Sequence, residues 1–259
     1  MSIRRDVLIP LLENDADKKA VLTRSLTATV IDSSEVIIEP ANIPGRPNKP
    51  ELIPHFQLKQ RSVNTMEGRA ALVHSLAHIE LNAIDLALDV IWRFHGMPDD
   101  FYLQWMNVAR EEALHFQLLR DHLNSMGYIY GSFPAHPALW DMAEKTKHDL
   151  LARISLVPRT MEARGLDASP LVKAKLLKAG DVKGGEILDI ILRDEIGHVA
   201  VGNYWYRWLC KQRELDEIEV YAELVKKYGA PHPKGPFNIE GRKAAGFTER
   251  EINQLRNPE

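Results

Sequence analysis

Four long stretches of the sequence repeat apolar residues at three- and four-residue intervals, and this pattern constrains the fold more than any other feature. They run from residue 65 to 96, from about 99 to 127, from about 137 to 165 and from about 181 to 213. Such spacing places apolar side chains on one face of an α-helix. Long helices with few strand signals between them predict an all-α fold, an antiparallel four-helix bundle.

The segments on either side of these stretches are less regular. Residues 1–64 include ANIPGRPNKPELIP, which is rich in Pro and Gly, and short pieces that fit either a helix or an extended strand. We expect an irregular N-terminal arm packed on a bundle of residues 65–213, followed by a C-terminal extension, residues 214–259, with short helices. The piece SPLVKAKLLKAG predicts a separate short helix between the third and fourth long ones, and Thr248 with Glu251 predicts a capping box at the last helix.

Each of the four long helices carries a glutamate inside its apolar stripe. These glutamates are Glu80, Glu112, Glu162 and Glu195. A carboxylate on a buried face costs several kcal/mol unless another group pairs with it. His115 and His198 each follow a stripe glutamate by three residues, so each Glu-x-x-His directs two polar side chains from nearly the same helix face.

The arrangement repeats along the chain. Glu80 and Glu112 are 32 positions apart, and Glu162 and Glu195 are 33 positions apart. The two halves therefore look like copies of one antiparallel helix pair, each with one Glu followed by one Glu-x-x-His. Four carboxylates and two imidazoles are the ligand set of di-iron carboxylate bundles, and they suit two iron ions, or alternatively a Mn/Fe or Mn pair.

A simpler interpretation is that these residues are surface acids and core histidines with ordinary partners. Two Glu-x-x-His matches are weak evidence by themselves in a chain with this many glutamates and histidines. The placement of both matches on apolar stripes, each about one helix hairpin after another stripe glutamate, favours the metal site.

Acidic residues also precede both motifs. Glu111 comes before Glu112, and Asp194 comes before Glu195. Metal-bound histidines commonly donate their second ring N–H to a carboxylate or carbonyl oxygen, so we expect Glu111 and Asp194 to orient the histidine ligands. The alternative is that both are solvated acids at the edge of a helix.

Four further features are open to structural tests. His74 and His78 project well away from Glu80 on a helical wheel, which favours an outer face. His122 lies on the face of His115 and fits either a supporting role beside the metals or the core.

Pro158 predicts a kink one turn before Glu162. Two glycines in the fourth helix, Gly197 and Gly202, would permit a close helix approach or leave space near the metals.

Composition excludes several classes of protein. The net charge of −3 gives no global electrostatic case for binding nucleic acid or an anionic membrane. A single cysteine, Cys210, excludes an internal disulfide and any Cys-based zinc or iron–sulfur site. No apolar run approaches the roughly 20 residues of a membrane span, and the N-terminal apolar patch is too short for a signal peptide. We therefore expect a soluble, cytoplasmic protein with no membrane partner.

Several segments resemble a bacterial ferritin-like family of unknown function. The segments are AHIELNAIDLALD, REEALHFQLLRDHL, LVPRTMEARGLDASP, ILRDEIGHVAVGNYW and KGPFNIEGRKAAGFTEREI, and the resemblance covers roughly residues 65–255. It implies membership of the ferritin-like superfamily, alongside the di-iron tRNA hydroxylase and rubrerythrin-type proteins. The family's ligand positions carry over to Glu80, Glu112, His115, Glu162, Glu195 and His198 without a departure. Fold analogy does not supply a substrate.

The first functional hypothesis is an oxygen-activating oxidoreductase or hydroxylase that takes dioxygen or a peroxide and an organic substrate, with an unidentified electron donor. A tRNA substrate has little support, because net charge opposes it and only a local cluster favours it: Lys173, Lys175, Lys178 and Lys183. The alternatives are a metal-handling or ferroxidase-type protein and a metal-stabilised scaffold for a partner. The irregular terminal segments favour a monomer or small homo-oligomer over a storage cage.

Overall fold

The computed structural model describes residues 2–27 and 30–256. All regular elements in these ranges are helical, and the closest approach to a sheet is an isolated bridge between Leu52 and Ala135. The predicted all-α fold is therefore confirmed.

The helices have the following bounds. The first three are short: α1 Ile3–Asp6, α2 Leu8–Leu12 and α3 Ala16–Arg24. The middle of the chain forms α4 Met66–Arg93, α5 Asp99–Ser125, α6 Ala138–Lys145, α7 Leu150–Leu156 and α8 Ala163–Lys178, with a π-helical stretch, the π segment, at Val157–Glu162. The last part forms α9 Val182–Gln212, α10 Glu217–Tyr228, α11 Ile239–Ala244 and α12 Glu249–Arg256. A 3₁₀ turn spans His55–Gln57.

The chain divides into two compact units. The first unit comprises residues 1–140 and 176–187, and the second comprises residues 141–175 and 188–259. Helices α8 and α9 contribute residues to both. The domain limits expected from the sequence, at residues 64 and 213, are a different division and stay a prediction.

The first unit is organised around the antiparallel pair α4 and α5. The short link of residues 94–98 makes consecutive helices pack side by side in opposite directions. The N-terminal helices cover this pair, and Arg4, fully buried, donates hydrogen bonds to the carbonyls of Ile91 (3.2 Å) and Trp92 (2.7 Å). These carbonyls belong to the last turn of α4, where helical partners run out, so Arg4 caps that helix.

A buried ion pair joins α3 to α4. Lys19 is fully buried, and its ammonium pairs with Asp85 while also donating to the carbonyls of Leu11 (3.3 Å) and Gly45 (2.9 Å). Burial raises the pKa of Asp85 to about 6, although the Lys19 charge opposes that shift. The charged groups of both residues are thus buried inside the first unit, away from solvent.

The second unit is built around the irregular helical run α7, π segment and α8, together with the later part of α9. Its core packs residues from α8, α9 and the C-terminal helices. The fully or nearly buried members are Ala163, Leu166, Val199, Ala245, Phe247 and Ile252. The C-terminal helices are therefore part of the core of this unit.

The π segment lies where Pro158 follows α7. Proline lacks the N–H that would continue the α-helical pattern, and here the chain forms wider π turns instead of a simple kink. A Cβ at Gly202 of α9 would meet the Pro158 ring at 3.0 Å (Cβ) and 3.3 Å (Cγ). Gly202 therefore permits the close approach of α9 to the π segment, one of the two roles expected from the sequence.

Some predicted helix limits are confirmed and others are wrong. The fourth long helix and the capping box are confirmed, since Thr248 N–H donates to Glu251 Oε2 (2.7 Å) and Glu251 N–H donates to Thr248 Oγ1 (3.3 Å). The third long helix is instead broken into α6, α7 and the π segment. Gly165 does not end a helix, because α8 runs through it and through Pro170 to Lys178. The predicted separate short helix is thus the later part of α8.

Helix α4 is more apolar than expected, since the sequence analysis found no apolar run near the length of a membrane span. Its length and a mean hydropathy of 1.2 over an 18-residue window fit a membrane span, but 72% of that window is buried inside the protein. Such burial is typical of the core helix of a soluble protein, and residues on several sides of α4 are covered.

Candidate metal centre

The first unit brings three predicted ligands together. Glu80 on α4 and Glu112 and His115 on α5 are 5%, 1% and 0% exposed. The Nδ1 atom of His115 lies 3.2 Å from Glu80 Oε2 and 3.4 Å from Glu112 Oε2. One ligand atom from each of the three lies within 4.8 Å of the others. This buried Glu/His group has the residue types and spacing to hold a metal ion.

The local helices explain this geometry. Glu112 and His115 are one turn apart on α5 and project to the same side. Glu80 lies on the facing side of α4, the antiparallel neighbour, and both helices are uninterrupted around these residues. Rigid helices on both sides therefore fix the positions of the three polar side chains.

The electrostatics of this group favour a bound cation. Burial, followed by the charge of Glu112, holds the pKa of Glu80 well above its usual value. Burial alone would lower the pKa of His115, but the hydrogen bonds and negative charges of Glu112 and Glu80 together outweigh burial and raise the pKa well above the usual value. The Glu80 carboxyl and the His115 imidazole thus tend to keep their protons, and a metal ion in place of those protons would neutralise the same negative charge.

The second unit carries the other predicted set. Glu195 and His198 lie one turn apart on α9, are 8% and 1% exposed, and have a separation of 3.8 Å between Glu195 Oε1 and His198 Nδ1. Glu162 is the last residue of the π segment, is half-buried, and has a buried Oε2 atom. The composition of the first set, one Glu and one Glu-x-x-His, is therefore present again on buried or half-buried positions.

The two acidic residues predicted to support the histidines lie in different surroundings. Glu111 is exposed on α5. Asp194 is half-buried on α9, and Arg193 donates to its two carboxylate oxygens at 2.7 and 3.0 Å. Their roles in orienting metal ligands stay predictions.

The expectation that His74 and His78 lie on an outer face is wrong. His74 is 1% exposed and accepts a hydrogen bond from Gly131 N–H (2.9 Å), while His78 is 9% exposed and bonds with the Tyr130 hydroxyl (2.8 Å). Burial lowers the pKa of each histidine to about 4. Because α4 is covered on more than the face of Glu80, a single buried stripe was too simple a description.

His122 has a structural partner that the sequence pattern did not reveal. Its Nε2 lies 2.9 and 3.1 Å from the two carboxylate oxygens of Asp181, and Asp181 Oδ1 also accepts from Gly184 N–H (2.9 Å). Asp181 thus caps the start of α9 while it fixes His122. The partners are separated along the chain, and helical spacing within α5 could not identify this pair.

Comparisons with known proteins place the chain in a family of unknown function, and the ferritin-like relationship stays a prediction. Residues 12–253 match the family described as "Protein of unknown function (DUF455)". An "Uncharacterized protein" of Haemophilus influenzae (strain ATCC 51907 / DSM 11121 / KW20 / Rd) is 46% identical over 226 residues, which cover 85% of this chain and 78% of that protein. No solved structure matches the chain. The chain therefore belongs to this protein family of unknown function.

Proposed function

We propose that the protein is a di-metal carboxylate oxidoreductase with a ferritin-like four-helix bundle. In this proposal two iron ions, or alternatively a Mn/Fe or Mn pair, bind six residues. The ligands are Glu80, Glu112, His115, Glu162, Glu195 and His198. The substrate class of the proposed activity is dioxygen or a peroxide together with an organic molecule to be oxidised.

The observation that carries the proposal is the buried group of Glu80, Glu112 and His115. Carboxylates are almost never buried this deeply unless they are paired or bind a metal. Here one imidazole nitrogen faces two carboxylates at 3.2 and 3.4 Å. That arrangement presents oxygen and nitrogen ligands toward one point, as a metal ion requires.

The second set of residues supports two ions rather than one. Glu162, Glu195 and His198 repeat the composition and nearly the spacing of the first set. Carboxylate-rich sites with one imidazole per ion suit iron and manganese better than thiophilic metals. The ferritin-like relationship itself comes from the motifs, and the ligand set of that superfamily matches these residues.

When bound, a pair of reduced metal ions supplies the electrons for reaction with dioxygen or a peroxide. The protein's own residues hold the ligand atoms in place, keep water out and balance charge. His115 must lose the proton at its metal-facing nitrogen to act as a ligand, so metal binding should release protons. Glu80 and Glu112 supply the negative charge that makes this exchange favourable.

Metal content tests the site. Protein purified without chelator is expected to contain about two iron or manganese ions per chain by elemental analysis. Glu112→Gln and Glu195→Gln remove one proposed ligand from each set and should each lower the metal content. Glu186→Gln, a change at an exposed residue of α9, is the matched control and should leave it unchanged. Absence of metal, with no uptake of ferrous ion under anaerobic conditions, would contradict the proposal.

Oxygen reactivity tests the redox function separately. The ferrous-loaded protein should consume dioxygen faster than free ferrous ion at the same concentration, and Glu112→Gln should remove the excess rate. Metal binding without any oxygen or peroxide reactivity would instead favour the metal-stabilised scaffold. Catalytic oxidation of free ferrous ion without an organic substrate would favour the ferroxidase-type role.

A further inference from the structure

The second unit contains a cavity of about 740 Å³ that the proposed metal chemistry does not use. Its walls come from the π segment, α10 and the C-terminal segment. They include Arg159, Tyr221, Val225, Lys226, Arg242 and Phe247. Pockets that bind organic molecules have volumes of this order, far more than an inorganic ion needs.

Arg159 is the central polar group of this cavity. Its side chain is 4% exposed, and the guanidinium carbon lies 4.5, 4.9 and 5.2 Å from the ring centres of Tyr206, Tyr221 and Phe247. One of its terminal nitrogens pairs with Glu251. Its Nε–H has no hydrogen-bond acceptor within the described part of the chain. A buried donor in this condition destabilises the folded protein, and an anionic acceptor would relieve that cost.

The charges around the cavity favour an anion. Two carboxylates line it, but Glu251 is neutralised by Arg159 and Arg207, and Glu217 accepts from Arg207. Among the lining cations, Arg242 pairs with Asp167, and Arg250 pairs with Asp216. Arg159 is also paired, with Glu251, but its Nε–H has no acceptor among the residues that the structure describes, so Arg159 and Lys226 are the lining cations best placed for a ligand.

The remaining wall is apolar. Tyr221 and Phe247 present ring faces, and Ile218, Val225 and Leu255 add aliphatic surface. An inorganic anion would leave this surface unused, whereas a neutral apolar molecule would leave the Arg159 donor without an acceptor. Both features are satisfied by a molecule with one anionic group and an aromatic or aliphatic body.

We propose that this cavity binds a small amphipathic organic anion, with the anionic group at Arg159 and Lys226 and the body between Tyr221, Phe247 and Val225. The site lies wholly within the second unit and needs no metal ion. It is therefore a separate proposal from the di-metal centre.

The test uses the full-length protein and anilinonaphthalene sulfonate as the probe. Titration calorimetry should show saturable binding at one site per chain. N-phenylnaphthylamine, which has the same body without the sulfonate, should bind about tenfold more weakly, because it lacks the charge-assisted hydrogen bond to Arg159. Arg159→Gln should weaken the binding of the sulfonate probe by a similar factor, so that the two probes bind with nearly equal affinity.

Two substitutions keep the test independent of the buried Arg159. Lys226→Met should weaken binding of the sulfonate probe severalfold. Lys227 is the neighbouring residue outside the cavity wall, and Lys227→Met should leave the affinity unchanged. Ala222→Trp fills the cavity from an exposed position of α10 and should abolish binding while cooperative unfolding is retained. The proposal is overturned if the folded protein shows no saturable binding, if both lysine variants behave alike, or if both probes bind equally.

Discussion

The two proposed ligand sets have nearly the same sequence spacing but different local structures. In the first unit, Glu80, Glu112 and His115 lie on uninterrupted α-helices. In the second, Glu162 ends a π segment that begins at Val157 and contains Pro158. A π turn holds an extra residue and so changes the direction in which later side chains project. Similar spacing along the chain therefore does not ensure similar geometry.

The units also differ in what holds their helices together. The first relies on buried polar groups, among them the Lys19–Asp85 pair and the hydrogen-bonded His74. The second relies on the close approach of Gly202 to Pro158. It also has the Arg159–Glu251 pair, which links the π segment to α12. Substitutions in each unit can show whether these differences matter for stability.

Lys19→Met should have the largest effect, because it leaves the Asp85 carboxylate buried without its cation. Removing one partner of a buried pair costs about 3–5 kcal/mol. Denaturation in urea should show a loss of this size, and hydrogen exchange should locate faster opening in α3 and α4. Lys18→Met, at the exposed neighbouring position, is the control. A loss below about 1 kcal/mol, the range of exposed pairs, would show that the Lys19–Asp85 pair contributes no more to the first unit than an exposed pair does.

The main helices could be predicted because apolar residues recur with the helical period, and the candidate ligands because polar groups interrupt those stripes. The π segment could not be predicted, since Pro158 indicates only a break and not the form that replaces the α-helix. The continuation of α8 through Gly165 and Pro170 was also missed, because tertiary packing outweighed local helix propensity.

Contacts between buried polar residues from distant parts of the chain could not be predicted from the sequence either. The charged sequence around Lys19 suggests a residue on the surface of a helix, yet Lys19 is fully buried against Asp85. His74 and His78 were assigned to an outer face on the assumption that α4 has one buried side. Pattern analysis works within one helix, and these contacts depend on the packing of several.

Acidification should weaken the first unit through His74. The folded pKa of about 4 lies below the ordinary value of 6.5, so the unfolded chain binds more protons between these values. Stability is therefore lost as pH falls through that window, by up to about 3 kcal/mol from this group. His74→Gln should reduce the loss measured by urea denaturation at the two ends of the window.

His95→Gln, at an exposed position, is the matched control for that pH dependence and should preserve it. His74 faces the stacked ring of Tyr130, the edge of Phe133 and the Gly131 N–H, and the charge of His78 also lowers its pKa. Gln keeps an acceptor for Gly131 but cannot titrate. An unchanged pH dependence in His74→Gln would assign the acid sensitivity to other groups.

The N-caps of α4 and α12 allow a comparison of the two units in which smaller changes in stability are expected. Thr65 Oγ1 accepts from Gly68 N–H at 3.1 Å at the start of α4, whereas Thr248 and Glu251 form a reciprocal pair at α12. Each Thr→Ala change should cost about 1 kcal/mol in urea denaturation. Both threonine hydroxyls also donate a hydrogen bond, Thr65 to the neutral carbonyl of Ser62 (2.9 Å) and Thr248 to the Glu251 carboxylate (2.9 Å). Thr248→Ala should cost more than Thr65→Ala, because the bond to the charged acceptor is the stronger of the two. Equal losses would show that the reciprocal pair adds nothing.

Two glycines of α9 provide the finest test of packing in the second unit. Gly197 has nothing within 4 Å of an added Cβ, so Gly197→Ala should stabilise the protein by about 0.5–1 kcal/mol through helix propensity. Gly202→Ala gains the same propensity but places its Cβ 3.0 Å from the rigid Pro158 ring, which should cancel or reverse the gain. Thermal unfolding of the two variants measures the difference directly. If both alanines stabilised equally, the π segment would not be tightly packed on α9, and the irregularity of the second unit would owe nothing to this contact.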